Sequence, residues 1–224
     1  MVHGDSIRVD RIVRRKNRRP GEELEVLLSD ASSFFAAMRV WEDEPFHEGD
    51  ELPPEQIERI QHNSALIAVR SRALSLLSRS EQSRFILTRK LWSRGFEPQI
   101  VESVLDNLEE TGLLDDGRYA ISWVRDRIRR HPEGRSALVG GLRQRGVSSV
   151  AAEMAVDVVL SEEGTTAEEA ARALAVRLFR NPKLDAAGVS VRMVRRGFSY
   201  GLVRDTIREV AGSDPHYGDI PDSE

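Results

Sequence analysis

The strongest constraint on this chain is a helix-ending signature that occurs three times at one fixed spacing. Each copy has an apolar residue, two further residues, an arginine, a glycine and another apolar residue. The copies occupy 91–96, 142–147 and 193–198, so their glycines lie 51 residues apart. Glycine adopts the left-handed conformation that ends many helices at the least cost. A fixed spacing between equivalent helix ends predicts a duplicated helical unit.

The sequence on both sides of the glycines repeats with the same offset. Apolar residues align as Ala73, Val124 and Ala175; Leu77, Ile128 and Phe179; Leu87, Leu138 and Val189; Ile100, Ala151 and Leu202; Leu105, Val156 and Ile207; and Leu108, Val159 and Val210. The last positions of each copy fall on one helical face. We predict three units of three helices, with the glycine turn between the second and third helix. Because one unit buries little surface, we expect the units to stack into an elongated, curved array.

The remaining segments surround these units. An alternating segment at 7–13, apolar segments at 24–28 and 34–40, and the turn signals between them predict a small β-hairpin or three-stranded region. Helices are expected from Pro53 or Pro54, because proline suits the first helical turn. We predict a mainly α protein with helix-turn-helix-like repeats. The predicted segments are a β-rich region with an acidic connector (1–52), a lead helix and repeat 1 (53–112), repeat 2 (113–163), repeat 3 (164–212) and a disordered tail (213–224).

The net charge of −4 conceals a strong segregation of charge along the chain. Residues 8–19 hold seven basic residues and one acidic residue, whereas 42–58 hold eight acidic residues and no lysine or arginine. The repeat region, 64–212, holds 24 basic and 19 acidic residues. The longest segment is therefore basic, and the overall charge says little about partners.

Several functional classes find no support in the sequence. The chain has no cysteine, which excludes disulfides, thiolate metal sites and cysteine nucleophiles. Its five histidines are scattered, and it has neither a phosphate-binding loop nor a Gly-x-Ser-x-Gly elbow. It has no apolar run of bilayer length and no apolar signal-peptide core in 1–10. We expect a cytoplasmic binding protein that is not an enzyme and needs no cofactor, metal or membrane.

Basic residues gather near the repeat turns and on the first helix of the middle unit. The candidate contact residues are Arg89, Lys90, Arg94, Arg125, Arg129, Arg130, Arg143, Arg145, Arg192, Arg195 and Arg196. Such side chains neutralise phosphates or acidic protein patches, and the competing interpretation is a solvated basic face. We favour Arg94, Arg145 and Arg196, because each directly precedes a turn glycine.

A second marker opens the middle unit, where Leu-Asp-Asp-x-Arg-Tyr-Ala occupies 114–120. Asp115 or Asp116 is expected to cap the new helix, since an N-cap carboxylate accepts hydrogen bonds from free amides. This marker and the three spaced Arg-Gly turns resemble the RecX regulatory proteins over about 64–212, and the β-like front end resembles their longer members. The middle unit departs from the family pattern at Ala151 and Ala152 and at the small pair Gly140-Gly141.

The resemblance implies a regulator of the RecA recombinase. It implies binding to RecA, to its filament on single-stranded DNA and to single-stranded DNA itself, with double-stranded DNA left open. We expect the chain to be a monomer. It implies inhibition of strand exchange, ATP hydrolysis and repressor cleavage, and hence roles in DNA repair, homologous recombination and the SOS response. Two alternatives remain: a helix-turn-helix transcription regulator reading duplex DNA with 97–108 or 199–210, and a purely structural scaffold.

Overall fold

The computed structural model describes residues 6–15, 23–164 and 166–212. The chain divides into two compact units, Met1–Leu114 and Asp115–Glu224. The predicted turn around 17–21, part of the basic arm at 8–19 and the predicted tail at 213–224 lie outside the described residues.

The described residues of the first unit form an antiparallel sheet and four helices. Its elements are β1 (Ile7–Arg15), β2 (Glu23–Leu28), β3 (Ser33–Ala37), α1 (Met38–Asp43), β4 (Glu51–Leu52), α2 (Pro54–Leu77), α3 (Arg84–Trp92) and α4 (Pro98–Glu110). The part of the second unit that the structure describes, 115–164 and 166–212, forms six helices. They are α5 (Asp116–Arg130), α6 (Arg135–Arg143), α7 (Ser149–Glu163), α8 (Ala167–Phe179), α9 (Ala186–Arg195) and α10 (Tyr200–Gly212).

The sheet has the strand order β3-β2-β1-β4, with every neighbouring pair antiparallel. Alternate residues of β2 and β3 point to a buried face, because successive side chains of a strand lie on opposite sides. Val26 and Phe34 on this face form a core with Phe46 and with Ile60 of α2. The sheet is therefore anchored to the start of the helical region.

The third predicted strand and the acidic connector differ from expectation. The strand ends at Ala37, whose amide donates to the hydroxyl of Ser64 on α2, and helix α1 begins at the next residue. The connector is folded: Phe46 is buried, and Glu51–Leu52 pairs with β1 as a fourth strand. A two-residue strand has too short a pattern to be recognised in the sequence.

The helices follow the predicted order. Helix α2 begins at Pro54 with Pro53 as its N-cap residue, as predicted. The three helices α2, α3 and α4 share a core that includes the fully buried Leu87, Leu91 and Leu105. The hydrophobic stripe of α4 faces this core, which leaves its polar side chains on the opposite face.

The second unit repeats this arrangement twice, in α5–α7 and α8–α10. Leu138 and Leu142 of α6, and Val189 and Met193 of α9, are fully buried at the positions of Leu87 and Leu91. The Asp115 carboxylate accepts hydrogen bonds from the amides of Gly117 and Arg118, at 2.8 and 2.9 Å, which confirms the predicted cap of α5. The duplicated spacing is thus matched by duplicated packing.

The fold class is confirmed: the chain is mainly helical, with three-helix repeats after a small antiparallel sheet. The five segment boundaries and the curved array remain predictions. Across the described residues, no helix combines the length and apolar character needed to cross a bilayer. No three histidine, aspartate or glutamate side chains in those same ranges are grouped so as to hold a metal ion.

Candidate basic interface

The three turn glycines have nearly the same backbone conformation. Gly95, Gly146 and Gly197 have φ of +82°, +83° and +84°, in the left-handed region that favours glycine. In each turn the glycine amide donates to the carbonyl oxygen three residues earlier, at 2.9 to 3.0 Å. The next apolar residue follows inward, and Val147 and Phe198 are buried. The same glycine turn therefore ends the second helix of each unit.

The arginines before these glycines serve different contacts. Arg94 donates to the carbonyl oxygen of Lys90, and Arg145 donates to that of Gly141, both at 2.8 Å. Each cation thus satisfies a carbonyl group in the last turn of its own helix, where positive charge is favourable. Arg196 instead donates to the carboxylate of Glu133 at 3.3 Å. All three arginines favoured in the sequence analysis therefore make hydrogen bonds within the chain.

Glu133 lies at the junction between the α5–α6 loop and the α9–α10 turn. Its side chain is only 6% exposed, and it also accepts two hydrogen bonds from Arg127, at 2.8 and 2.7 Å. The hydrogen bond to Glu133 raises the pKa of the Arg127 guanidinium. Burying a carboxylate costs solvation energy, and hydrogen bonds to two arginines in good geometry offset that cost.

Backbone contacts reinforce the same junction. The amide of Gly134 donates to the carbonyl oxygen of Arg196 at 2.7 Å, and the hydroxyl of Ser136 donates to that of Gly197 at 3.0 Å. A Cβ atom on Gly134 would lie 2.1 Å from the Gly197 oxygen. The two segments approach so closely that only glycine fits at this point.

Two basic side chains of repeat 2 lie against the ring of Trp123 on α5. The guanidinium carbon atoms of Arg145 and Arg127 lie 4.8 and 5.9 Å from its ring centroid, within the range of cation–π attraction. A Cβ on Gly141 would lie 2.6 Å from the indole ring. The small residue noted in the sequence therefore leaves room for this ring. Burial raises the pKa of the neighbouring Tyr119 phenol, and its contact with Arg145 opposes that shift.

The predicted contact residues of repeat 1 lie near the end of α3. Arg89 lies over the ring of Phe85 at 5.7 Å, and Lys90 donates to the side chain of Gln82 at 2.6 Å. The main ionic feature of this repeat is Arg84, which the sequence prediction missed. Burial opposes its charge, but hydrogen bonds to the acidic side chains of α4 outweigh burial and raise the pKa of its guanidinium. Those acidic partners are Glu102, Asp106 and Glu109.

The predicted arginines of α5 and α6 differ in their engagement. Arg125 forms an ion pair with Glu162, and Arg130 lies 3.6 Å from Asp126. Arg129 and Arg143 are exposed and make no ion pair with any described residue. Paired surface cations are partly neutralised, so the unpaired ones are better placed to meet an external anion.

Repeat 3 also carries unpaired cations. Five basic side chains there form no ion pair within the described part of the chain, namely Arg177, Arg180, Lys183, Arg192 and Arg195. Two of these, Arg192 and Arg195 of α9, are predicted contact residues, and the sequence prediction did not include the other three. Their contact with a partner stays a prediction.

Comparison with known proteins identifies the fold and the family. The family model described as RecX, first three-helix domain, matches residues 70–108, and that of the second three-helix domain matches 115–156. Regulatory protein RecX of Treponema pallidum (strain Nichols) is 40% identical over 135 residues, which cover 59% of this chain and 79% of that protein. The chain belongs to the RecX family.

Two further RecX proteins extend the likeness. Regulatory protein RecX of Thermobifida fusca (strain YX) is 32% identical over 157 residues, covering 69% of this chain and 85% of that protein. A crystal structure of regulatory protein RecX superposes with a TM-score of 0.63 at 26% identity, covering 91% of this chain and 99% of that one. RecX is a regulatory family, and the likeness extends well beyond the two matched domains.

Proposed function

We propose that this chain regulates RecA by binding RecA and its filament on single-stranded DNA in the cytoplasm. It inhibits the recombinase, ATPase and coprotease activities of the filament and thereby modulates recombination, DNA repair and the SOS response. The observation that carries this proposal is membership of the RecX family, seen in both matched three-helix domains. The unpaired cations of the second unit support binding to a polyanionic assembly.

The exposed face of α4 argues against 97–108 as the reading helix of a helix-turn-helix transcription regulator, and it does not bear on 199–210. Glu102, Asp106 and Glu110 line an open depression on this face. Arg84 is the cation that pairs with the first two of them. A reading helix must enter a groove lined by phosphates, which an acidic face repels. Binding to a filament through other surfaces avoids this repulsion.

The direct test is RecA-catalysed ATP hydrolysis on single-stranded DNA, measured as this protein is added. We expect hydrolysis to fall at amounts well below one molecule per RecA protomer. Unchanged hydrolysis at an equimolar amount contradicts the proposal. A footprint on a defined palindromic duplex, without an effect on RecA, supports a transcription regulator instead.

The contact residues need variants that do not disturb the fold. Alanine in place of Arg94, Arg145 and Arg196 removes helix-end contacts and a partner of buried Glu133, so loss of inhibition has two explanations. Neutralising Arg129 and Arg143 to glutamine removes only unpaired cations.

The matched control is the double variant Arg135→Gln and Arg172→Gln, whose cations pair with Asp157 and Glu209. We expect the double variant Arg129→Gln and Arg143→Gln to weaken both the inhibition and its salt dependence more than this control does. Equal effects of the two pairs mean that net charge, rather than this surface, governs binding.

A further inference from the structure

One aromatic side chain in repeat 3 is exposed without a structural reason. Tyr200, the first residue of α10, is 77% exposed, and its side chain makes no hydrogen bond or ring contact with any described residue. The equivalent positions in the other repeats hold Pro98 and Ser149. A large ring that is this exposed contributes little to folding, because the stabilisation comes from burial.

Two unpaired arginines precede the same turn. Arg192 and Arg195 lie three residues apart, on one face of the last turns of α9, and both are exposed. The equivalent positions are Lys90 and Ser93 in repeat 1 and Gly141 and Gln144 in repeat 2. Repeat 3 is therefore the unit that combines two arginines and a tyrosine around its glycine turn.

We propose that Arg192, Arg195 and Tyr200 form a contact site for single-stranded nucleic acid on the α9–α10 turn. The two guanidinium groups neutralise phosphates, and the tyrosine ring stacks on an unpaired base. This combination of cations with an aromatic platform is how single strands are bound without sequence preference, since every base has a π-face. Arg177, Arg180 and Lys183 add positive field along the preceding segment.

An acidic protein surface fits the site less well. It accounts for the arginines through ion pairing but gives the exposed ring no specific role. The C-terminal position of the arginines on α9 also favours positive charge, yet that effect does not explain Tyr200. The proposal rests on the proposed function for its choice of single-stranded DNA as ligand and deepens it by naming the site.

The test is fluorescence anisotropy of a labelled oligothymidylate with the full chain, measured over a series of salt concentrations without RecA. Tyr200→Leu removes the ring, and Tyr200→Phe keeps it. We expect the leucine variant to bind about 5- to 150-fold more weakly, the range expected for one stacked base, and the phenylalanine variant to bind like the parent. On an abasic oligonucleotide of equal length, all three proteins should bind alike.

The arginines are tested by their effect on the salt slope. Arg192→Gln with Arg195→Gln should lower the slope of log affinity against log salt by about 1.4, because each single-strand phosphate contact contributes about 0.7. Arg172→Gln with Arg204→Gln is the control, since both cations belong to repeat 3 and pair with Glu209 and Asp205. It should change the slope by less than half as much.

Three outcomes overturn the site. They are parental affinity of the Tyr200→Leu variant for oligothymidylate, equal weakening by leucine and phenylalanine, and equal slopes for the two arginine pairs. Circular dichroism of each variant checks that the helices are intact. Because RecA is absent from this assay, failure here leaves the inhibition of RecA to be judged by its own measurement.

Discussion

A methyl group added at Gly134 tests the junction between repeats 2 and 3. Gly134 has φ −79° and ψ 161°, which alanine adopts without strain, so the backbone alone gives no reason for glycine. The added Cβ would lie 2.1 Å from the Gly197 oxygen and 2.3 Å from its carbonyl carbon. The two segments must separate by about 1.5 Å to reach van der Waals distance.

The cost follows from what that separation breaks. Overpacking costs about 1–3 kcal/mol. The hydrogen bonds from the Gly134 amide to Arg196 and from Ser136 to Gly197 are each worth about 0.5–1.5 kcal/mol. We expect Gly134→Ala to lower the free energy of unfolding of the second unit by about 3 kcal/mol, with the ion pair of Glu133 and Arg196 loosened as well.

The assay combines urea unfolding with hydrogen exchange, because a chain of two units need not unfold in one step. Exchange should accelerate in α8–α10 and leave the amides of α2–α4 unchanged. Gly140→Ala is the matched control: it makes the same substitution six residues away, inside α6, where nothing lies within 4 Å of the new Cβ. This control should stabilise the unit by about 0.5–1 kcal/mol. A Gly134→Ala protein as stable as the parent would falsify the close approach described for this junction.

Two further predictions concern the same unit. Gly141→Ala places a Cβ 2.6 Å from the ring of Trp123 and should destabilise by about 1–3 kcal/mol in urea unfolding, opposite in sign to alanine at the neighbouring glycine. The hydrogen bond from Arg135 lowers the pKa of Asp157, so the pair stabilises the fold above the pKa of an unfolded aspartate and loses that contribution as the pH falls through the lowered value. Arg135→Gln should raise the pKa of Asp157 in a carboxyl NMR titration; an unchanged value would show that the pair does not form in solution.

The repeated backbone could be predicted from the sequence because its signals are local. At each of the three turns the glycine after the arginine ends a helix, and the apolar period identifies the buried face. The turn glycines and the cap at Asp115 are accordingly found where predicted. Strand β4 was missed, since its pairing of Leu52 with Ile7 spans 45 residues and two residues carry no pattern.

Side-chain partners could not be predicted in the same way. Glu133 and Arg196 are 63 residues apart, and their ion pair depends on how repeat 3 packs against the α5–α6 loop. In the sequence, the segment 132–134 reads only as a break between helices. The number and spacing of the arginines can be read from the sequence, whereas the contacts that each one makes are seen only in the structure.

The turn arginine occupies the same position in all three repeats, but its hydrogen-bond partner differs between them. The same position supplies a helix-end donor in repeats 1 and 2 and an ion pair across a junction in repeat 3. A residue that recurs because the turn recurs is weak support for a binding role, since the fold itself can account for it. Stronger support comes from exposed positions where one repeat departs from the others and no internal contact explains the change. By that criterion Arg192, Arg195 and Tyr200 are better candidates for contact with a partner than Arg94, Arg145 and Arg196.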